Sequence, residues 1–261
     1  MVDFARGVLY PRDQSAIAEL DRRTPSPDLA RFVEFYWHVR WRAEKPYEAK
    51  VLAYPSVHLV FEEPVPLVYG VQRSLFVRRL EGRGQVLGVK FRPGCFRPFA
   101  AGPVSDLADR RVPATDVFPR RVEDVGRAVL RDTDLDAMVA AAEEFLLGCL
   151  PEPDPVADEV AAMVEAMTAD PALFRVDQAA GTLHVSARTL QRLFADYVGA
   201  SPKWVLRRAR LQEAASRADQ GARVDWADLA DDLGYFDQSH LIRDFTAALG
   251  VPPARYAGLN S

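Results

Sequence analysis

Two stretches near the C-terminus carry the same run of small, apolar and turn-forming residues, and the chain between them restricts how they can be arranged. The first goes from Val176 through Ala179, Ala180 and Gly181 to Ser186, then on through Leu190, Leu193 and Phe194. The second goes from Trp226 through Leu229, Ala230 and Gly234 to Asp237, then on through Leu241 and Phe245. Each reads as a helix, a tight turn and a second helix, the arrangement that lets one helix enter a DNA major groove. Between them Ser201-Pro202 is a cap followed by proline at the first helical position, and no breaker follows before about Ala218. A helix of that length spans roughly 25 Å at 1.5 Å per residue. Successive major grooves on one face of a duplex are roughly 34 Å apart, so a stiff connector plus the half-widths of two small helical units suits that spacing.

Charge sharpens this reading. The chain of 261 residues has a formal net charge of −4, which argues against a protein that coats nucleic acid indiscriminately. Residues 175–217 nevertheless hold eight basic against three acidic side chains, and residues 219–244 hold two basic against seven acidic. The first motif is basic and the second acidic. On the second helix of the first motif, a face centred on Leu190 takes in Leu193, Phe194 and Tyr197, leaving Arg188, Gln191 and Arg192 opposite. Arg pairs bidentately with guanine and Gln with adenine, so these three are the expected base contacts. Ser186 is the expected N-cap and Gly199 the expected stop. In the second motif Asp237 is the expected cap, and Gln238, Ser239, His240 and Arg243 are the candidate base contacts. Lys203, Arg207 and Arg208, with Arg210, are phosphate candidates on the connector, some with stems packing locally.

The remaining chain reads as a different unit. Alternating prolines at 151, 153 and 155 hold their neighbours extended and predict a boundary, giving a β-rich sensor unit at 1–121, a helical connector at 122–150 and a reading unit at 151–261. Strands are expected at 32–41, 57–61, 67–69, 75–80 and 85–91, with turns at Glu63-Pro64 and at Gly82-Arg83-Gly84. Short helices are expected at 26–31 and 94–101, and longer ones at 122–131 and 134–147. The apolar stripe of the last, Leu135, Met138, Val139, Ala142, Phe145 and Leu146, reads either as a core face or as a dimer seam. The fold class is therefore α+β: a β-rich sheet or barrel, then an all-α unit. Aromatics in the sheet-like runs, Trp37, Tyr54, Phe61, Tyr69, Phe76 and Phe91, are the candidate lining of a small-molecule site.

With 49% hydrophobic residues both units can bury a core. No apolar run nears the roughly 20 residues that span a bilayer, and Asp3, Arg6, Arg12 and Asp13 sit where a signal peptide would be apolar, so a cytoplasmic protein without membrane partners is expected. Cys95 and Cys149 lack metal or disulfide spacing.

The motifs resemble the DNA-binding domain of the AraC/XylS family of bacterial transcription regulators over about 156–258. The resemblance lies in residues 186–194, Gly199-Ala200-Ser201-Pro202, Arg210-Leu211, residues 230–240 and residues 245–256. It implies two motifs joined by a long helix on adjacent groove segments, with base-reading positions at Arg188, Gln191, Arg192, Gln238, Ser239, His240 and Arg243. Less specifically, Tyr54-Pro55-Ser56, residues 88–94 and residues 104–110 resemble a poorly characterised β-rich domain fused to such regulators. That resemblance implies a cupin-like unit that senses a small-molecule effector or forms a homodimer, with RNA polymerase as a partner if the protein is an activator. Related barrels hold metal through closely spaced His. Here His38 and His58 are isolated, so structural histidines and no cofactor are expected. Two alternatives stand beside a regulator that is not an enzyme: an acceptor of alkyl groups from damaged DNA using Cys95, which needs an activated thiolate, and an interaction module whose acidic second motif no longer touches DNA.

Overall fold

The computed structural model describes residue 9 and residues 15–170, 173–219 and 224–260. Arg223 and the N-terminal charges Asp3, Arg6, Arg12 and Asp13 lie outside them. Six strands, β1 (Ala18–Arg23), β2 (Val33–Val51), β3 (His58–Phe61), β4 (Leu67–Tyr69), β5 (Phe76–Phe91) and β6 (Arg111–Pro113), form one antiparallel sheet in the order β1-β2-β5-β3-β4-β6. Among the described residues β1 and β6 do not pair, so the sheet is open and is not a hydrogen-bonded barrel.

Three features depart from the sequence expectation. The runs at 75–80 and 85–91 are one strand, because Gly82-Arg83-Gly84 stays in the ladder, paired with Ala43, Arg42 and Trp41, and does not reverse the chain. Ala43 pairs with Gly82 and Tyr47 with Leu80, so β2 carries two extra residues opposite Glu81, next to Gly82 with its φ of +59°. The expected helix at 26–31 is a pair of turns, with the Leu29 and Ala30 N–H groups both donating to the Ser26 carbonyl. That at 94–101 shrinks to one 3-10 turn at Arg97–Phe99.

Period-2 alternation sorts the sheet into two faces. Leu59, Phe61, Val68, Leu87, Val89 and Phe91 face helices α1 (Val122–Arg131) and α2 (Leu135–Leu147) and are fully buried. Trp37, Val39, His58, Val60, Val86 and Lys90 point to the other face, where they wall a cavity. The α2 stripe, from Leu135 to Leu146, belongs to the first core, so it is a packing face and not a dimer seam. Each of its larger members contributes about 1.5–3 kcal/mol by burial. Asp134 caps the helix by accepting from the Asp136 N–H at 3.0 Å.

Seven further helical turns or helices complete the chain: α3 (Pro155–Ala169), α4 (Val176–Thr182), α5 (Ala187–Leu193) with a wider π-helical turn at Phe194–Val198, α6 (Pro202–Asp219), α7 (Trp226–Asp232), α8 (Gln238–Leu249) and α9 (Pro253–Asn260). Their apolar faces do not form a core of their own. One core joins the sheet and α1–α2 to α3, α4, α5 and the first half of α6, through Val205 and Leu206. A second joins Leu9 and Leu52 of the N-terminal part to Leu211, Ala214, Ala215 and Ala218 on the second half of α6 and to α7, α8 and α9. The helix α6 is thus seated across both. Among the described residues no helix is long and apolar enough to cross a membrane.

Candidate nucleic-acid interface and sensor cavity

The two motifs are built by one backbone scheme. In the first, the Val185 N–H donates to the Ala180 carbonyl at 3.0 Å and the His184 N–H to Gly181 at 3.2 Å, with His184 left-handed at φ +54°. In the second, Tyr235 donates to Ala230 at 2.9 Å and Gly234 to Asp231 at 3.0 Å, with Gly234 at φ +65°. One left-handed residue closes each helix by returning two N–H groups to its last carbonyls. The following helix is then capped by a side chain. Ser186 Oγ accepts from the Thr189 N–H at 3.0 Å, and Asp237 Oδ1 accepts from the His240 N–H at 2.7 Å. The second turn is one residue longer, and the additional residue, Phe236, is 91% exposed. Sequence reasoning passed over it because a single apolar residue in a turn has no periodic signature.

On α5, Leu190 and Leu193 are buried while Arg188, Gln191 and Arg192 lie in solvent. Gly199, at φ +81°, ends the π-helical turn beneath it. On α8, Leu241, Phe245 and Leu249 are buried and Gln238, Ser239 and Arg243 are exposed. His240 is half-buried, edge-on to the Tyr235 ring at 5.1 Å. Among the described residues Arg188, Arg192, Lys203 and Arg243 have no acidic partner within ion-pair distance. Most of the acidic surplus of the second motif has a local structural role. Asp225 and Asp237 cap α7 and α8, Asp244 pairs with Arg207 at 2.9 Å and Asp232 with Arg217 at 2.8 Å. The basic α6 therefore neutralises carboxylates of the acidic motif, which removes the main support for a reading in which the second motif has lost DNA.

Arg208 is a correction. It is 4% exposed, stacks on Trp204 at 4.6 Å and donates through Nη2 to the Arg73 carbonyl at 2.8 Å, so its guanidinium holds the N-terminal unit and does not face phosphates. Burial, and then the neighbouring Arg207, pull its pKa down to about 10. Trp204 Nε1 donates to the same carbonyl at 3.2 Å, and Gln212 Nε2 donates to the Leu52 carbonyl at 3.1 Å. No periodicity could have found these bonds, since their partners lie more than a hundred residues away.

The N-terminal cavity has a volume of about 610 Å³, within the range that holds a drug-sized ligand. Trp37, Tyr54, Tyr69 and Phe76 line it, whereas Phe61 and Phe91 point through the sheet into the first core and do not. Two glycines of β5 lie beneath indoles that line it. A Cβ on Gly88 would sit 2.0 Å from the Trp37 indole and one on Gly84 would sit 2.3 Å from that of Trp41, so only glycine lets the two rings lie against the strand. Trp37 Nε1 donates to His58 Nδ1 at 3.0 Å. Enclosure, Lys90 and Arg22 then push the His58 pKa down to about 3. His38 is buried with Nε2 3.1 Å from Gln85 Oε1, so both rings have structural partners. Cys95 is 1% exposed and burial raises its thiol to about 11, and burial also raises Cys149. Neither is an activated thiolate, which weighs against alkyl transfer.

Residues 179–258 match a family model described as a helix-turn-helix domain. The C-terminal unit carries a helix-turn-helix domain. Residues 21–113, ahead of this unit, match a domain of unknown function, DUF6597. No curated protein sequence matches the chain. Solved structures similar to it include a transcriptional regulator described by its AraC-type DNA-binding domain from Chromobacterium violaceum, with 23% identity, 40% of this chain and 92% of that one covered, and a TM-score of 0.36. ToxT from Vibrio cholerae has 9% identity, covers 93% of this chain and 97% of that one, and has a TM-score of 0.42. The transcriptional regulator CdpR from Pseudomonas aeruginosa has 18% identity, 68% and 46% coverage, and a TM-score of 0.30.

Proposed function

We propose that the chain is a sequence-specific transcription regulator that reads DNA through α5 and α8 and is modulated by a small molecule held in the cavity of its N-terminal sheet. The observation that carries the reading is the pair of motifs built on one turn scheme, each with an exposed polar face, joined by a single 18-residue helix. Arg188, Gln191 and Arg192 are assigned to one half-site and Gln238, Ser239, His240 and Arg243 to the other, with Lys203 toward phosphate and Arg207 held by Asp244. The sensor, connector and reader are assigned to 1–121, 122–150 and 151–261. Modulation is supported by the bonds from α6 to the sheet unit. Leu52 and Gln72 line the cavity, and the Leu52 and Arg73 carbonyls hold Gln212, Trp204 and Arg208, so a change in the cavity wall reaches the helix that sets the two reading helices apart.

Selection of bound sequences from a random DNA pool with the full-length protein tests the reading. Two half-sites centred about one helical turn, roughly 10 base pairs, apart are expected. No enrichment, or a single uninterrupted half-site, would overturn it.

A further inference from the structure

The turn of the second motif holds a side chain that the fold leaves uncovered. Phe236 is 91% exposed, and no other large apolar residue among those described exceeds 41%. Single apolar side chains on a surface are ordinary, yet the other four exposed ones here keep more than half of their area covered.

The neighbours of Phe236 hold it in that position. Tyr235 turns inward and is 4% exposed, its ring edge-on to His240 at 5.1 Å and beneath the Arg210 guanidinium at 4.7 Å. Its N–H donates to the Ala230 carbonyl at 2.9 Å. On the other side, Asp237 caps α8 by accepting from the His240 N–H at 2.7 Å. The backbone is thus tied down before and after Phe236, while the ring itself has no aromatic or cation–π partner among the described residues. The first motif has no counterpart, because its turn passes from Val185 directly to the Ser186 cap.

Position decides what can cover this ring. Consecutive Cα atoms are about 3.8 Å apart, so Phe236 is anchored within about 8 Å of Gln238, which with Ser239 is exposed on the first turn of α8. Residues at the N-terminus of the second helix are the ones that reach base edges in this kind of motif. A duplex that engages Gln238 and Ser239 therefore meets Phe236 beside them. In the major groove adenine, guanine and cytosine present hydrogen-bond donors and acceptors, which a phenyl ring cannot satisfy. Thymine alone adds an apolar group, its C5 methyl.

We infer that Phe236 is a specificity-determining residue that packs its ring on a thymine methyl in the half-site read by α8. This rests on the reading of α8 as a DNA-reading helix. It adds an apolar base preference that the polar side chains Gln238, Ser239, His240 and Arg243 do not supply.

The full-length protein and its Phe236→Ser and Phe236→Leu variants are each put through selection from a random DNA pool. The duplex selected by the parent is then remade with each thymine replaced in turn by deoxyuridine, which removes the methyl and leaves base pairing, sugar and phosphate as they were. One such replacement is expected to weaken the parent about three- to fivefold in a gel-shift titration, the scale for burying one methyl group. The same replacement should leave Phe236→Ser unaffected, and the site selected by that variant should lose its thymine preference at that position, while Phe236→Leu retains it. Both variants should melt with the parent; a lowered midpoint would show that the ring packs on the protein and would overturn the inference. A selected site without thymine, or one in which every deoxyuridine acts alike on the parent and on Phe236→Ser, would also overturn it and leave the regulator reading standing. No enriched sequence at all would sink both.

Discussion

At the scale of single residues, the two reading helices differ in electrostatic setting. Arg192 stands on a helix with Arg188 beside it, whereas Arg243 adjoins Asp244 in an otherwise acidic motif. Arg192→Ala should therefore weaken DNA binding more than Arg243→Ala, by about 1–3 kcal/mol with relaxed base preference, and equal losses in a gel-shift titration would refute the ordering. His58 gives a prediction in pH. An unfolded chain takes up a proton on this ring below its ordinary value of 6.5, whereas the folded chain refuses it until about pH 3. The unfolded state binds more protons throughout that window, so stability rises with pH across it and falls as the solution is acidified. Denaturation midpoints of His58→Gln should depend less on pH between those limits; an unchanged acid limb would show that the ring is not held neutral. Gly234 concerns backbone. Gly234→Ala forces φ +65° on an L-residue and sets a Cβ 2.3 Å from the Phe174 ring, costing about 2–4 kcal/mol, while His184→Gly at the equivalent turn should be neutral or stabilising by up to about 1 kcal/mol. Similar thermal shifts for the two would contradict the shared turn scheme.

At the scale of elements, α6 joins one motif to the other and also docks on the sheet unit. Gln212→Leu leaves the Leu52 carbonyl without its donor, at a buried site, and should cost about 1–3 kcal/mol. The urea midpoint should fall at an unchanged slope; a midpoint equal to that of the parent would mean that the bond contributes nothing. The helices were legible in the sequence because their ends are written in it. Ser186, Asp134 and Asp237 cap as their side chains suggest, and Gly199 stops the turn after α5 as expected. The strands at the edges were not. β1, Ala-Glu-Leu-Asp-Arg-Arg, is too charged to show an apolar alternation, which is also what keeps an open edge from pairing with other chains. Of the glycines that split β5 on paper, Gly84 lies against the Trp41 indole, a contact that strand periodicity does not encode, and Gly82 has a left-handed φ of +59° beside the bulge of β2. The cavity was half legible. Aromatic content marked the right strands, but the face each ring takes depends on register, so Phe61 and Phe91 were assigned to the wrong side.

At the scale of the molecule, the proline-rich tract at 150–155 does not divide the packing, since one core runs from the sheet into α3, α4 and α5. The second core needs Leu52 to complete it. Neither half can melt without stripping apolar surface from the other, so heating should give one cooperative transition, with near-ultraviolet signals from the cavity tryptophans coincident with the loss of helix. Two resolved transitions would show that the halves unfold independently. The shared cores also limit modular engineering. A hybrid that grafts residues 1–150 onto another reader at the proline tract would part Leu52 and Arg73 from the helix they were shaped to grip, so a working exchange of specificities must carry α6 across together with the sheet that holds it.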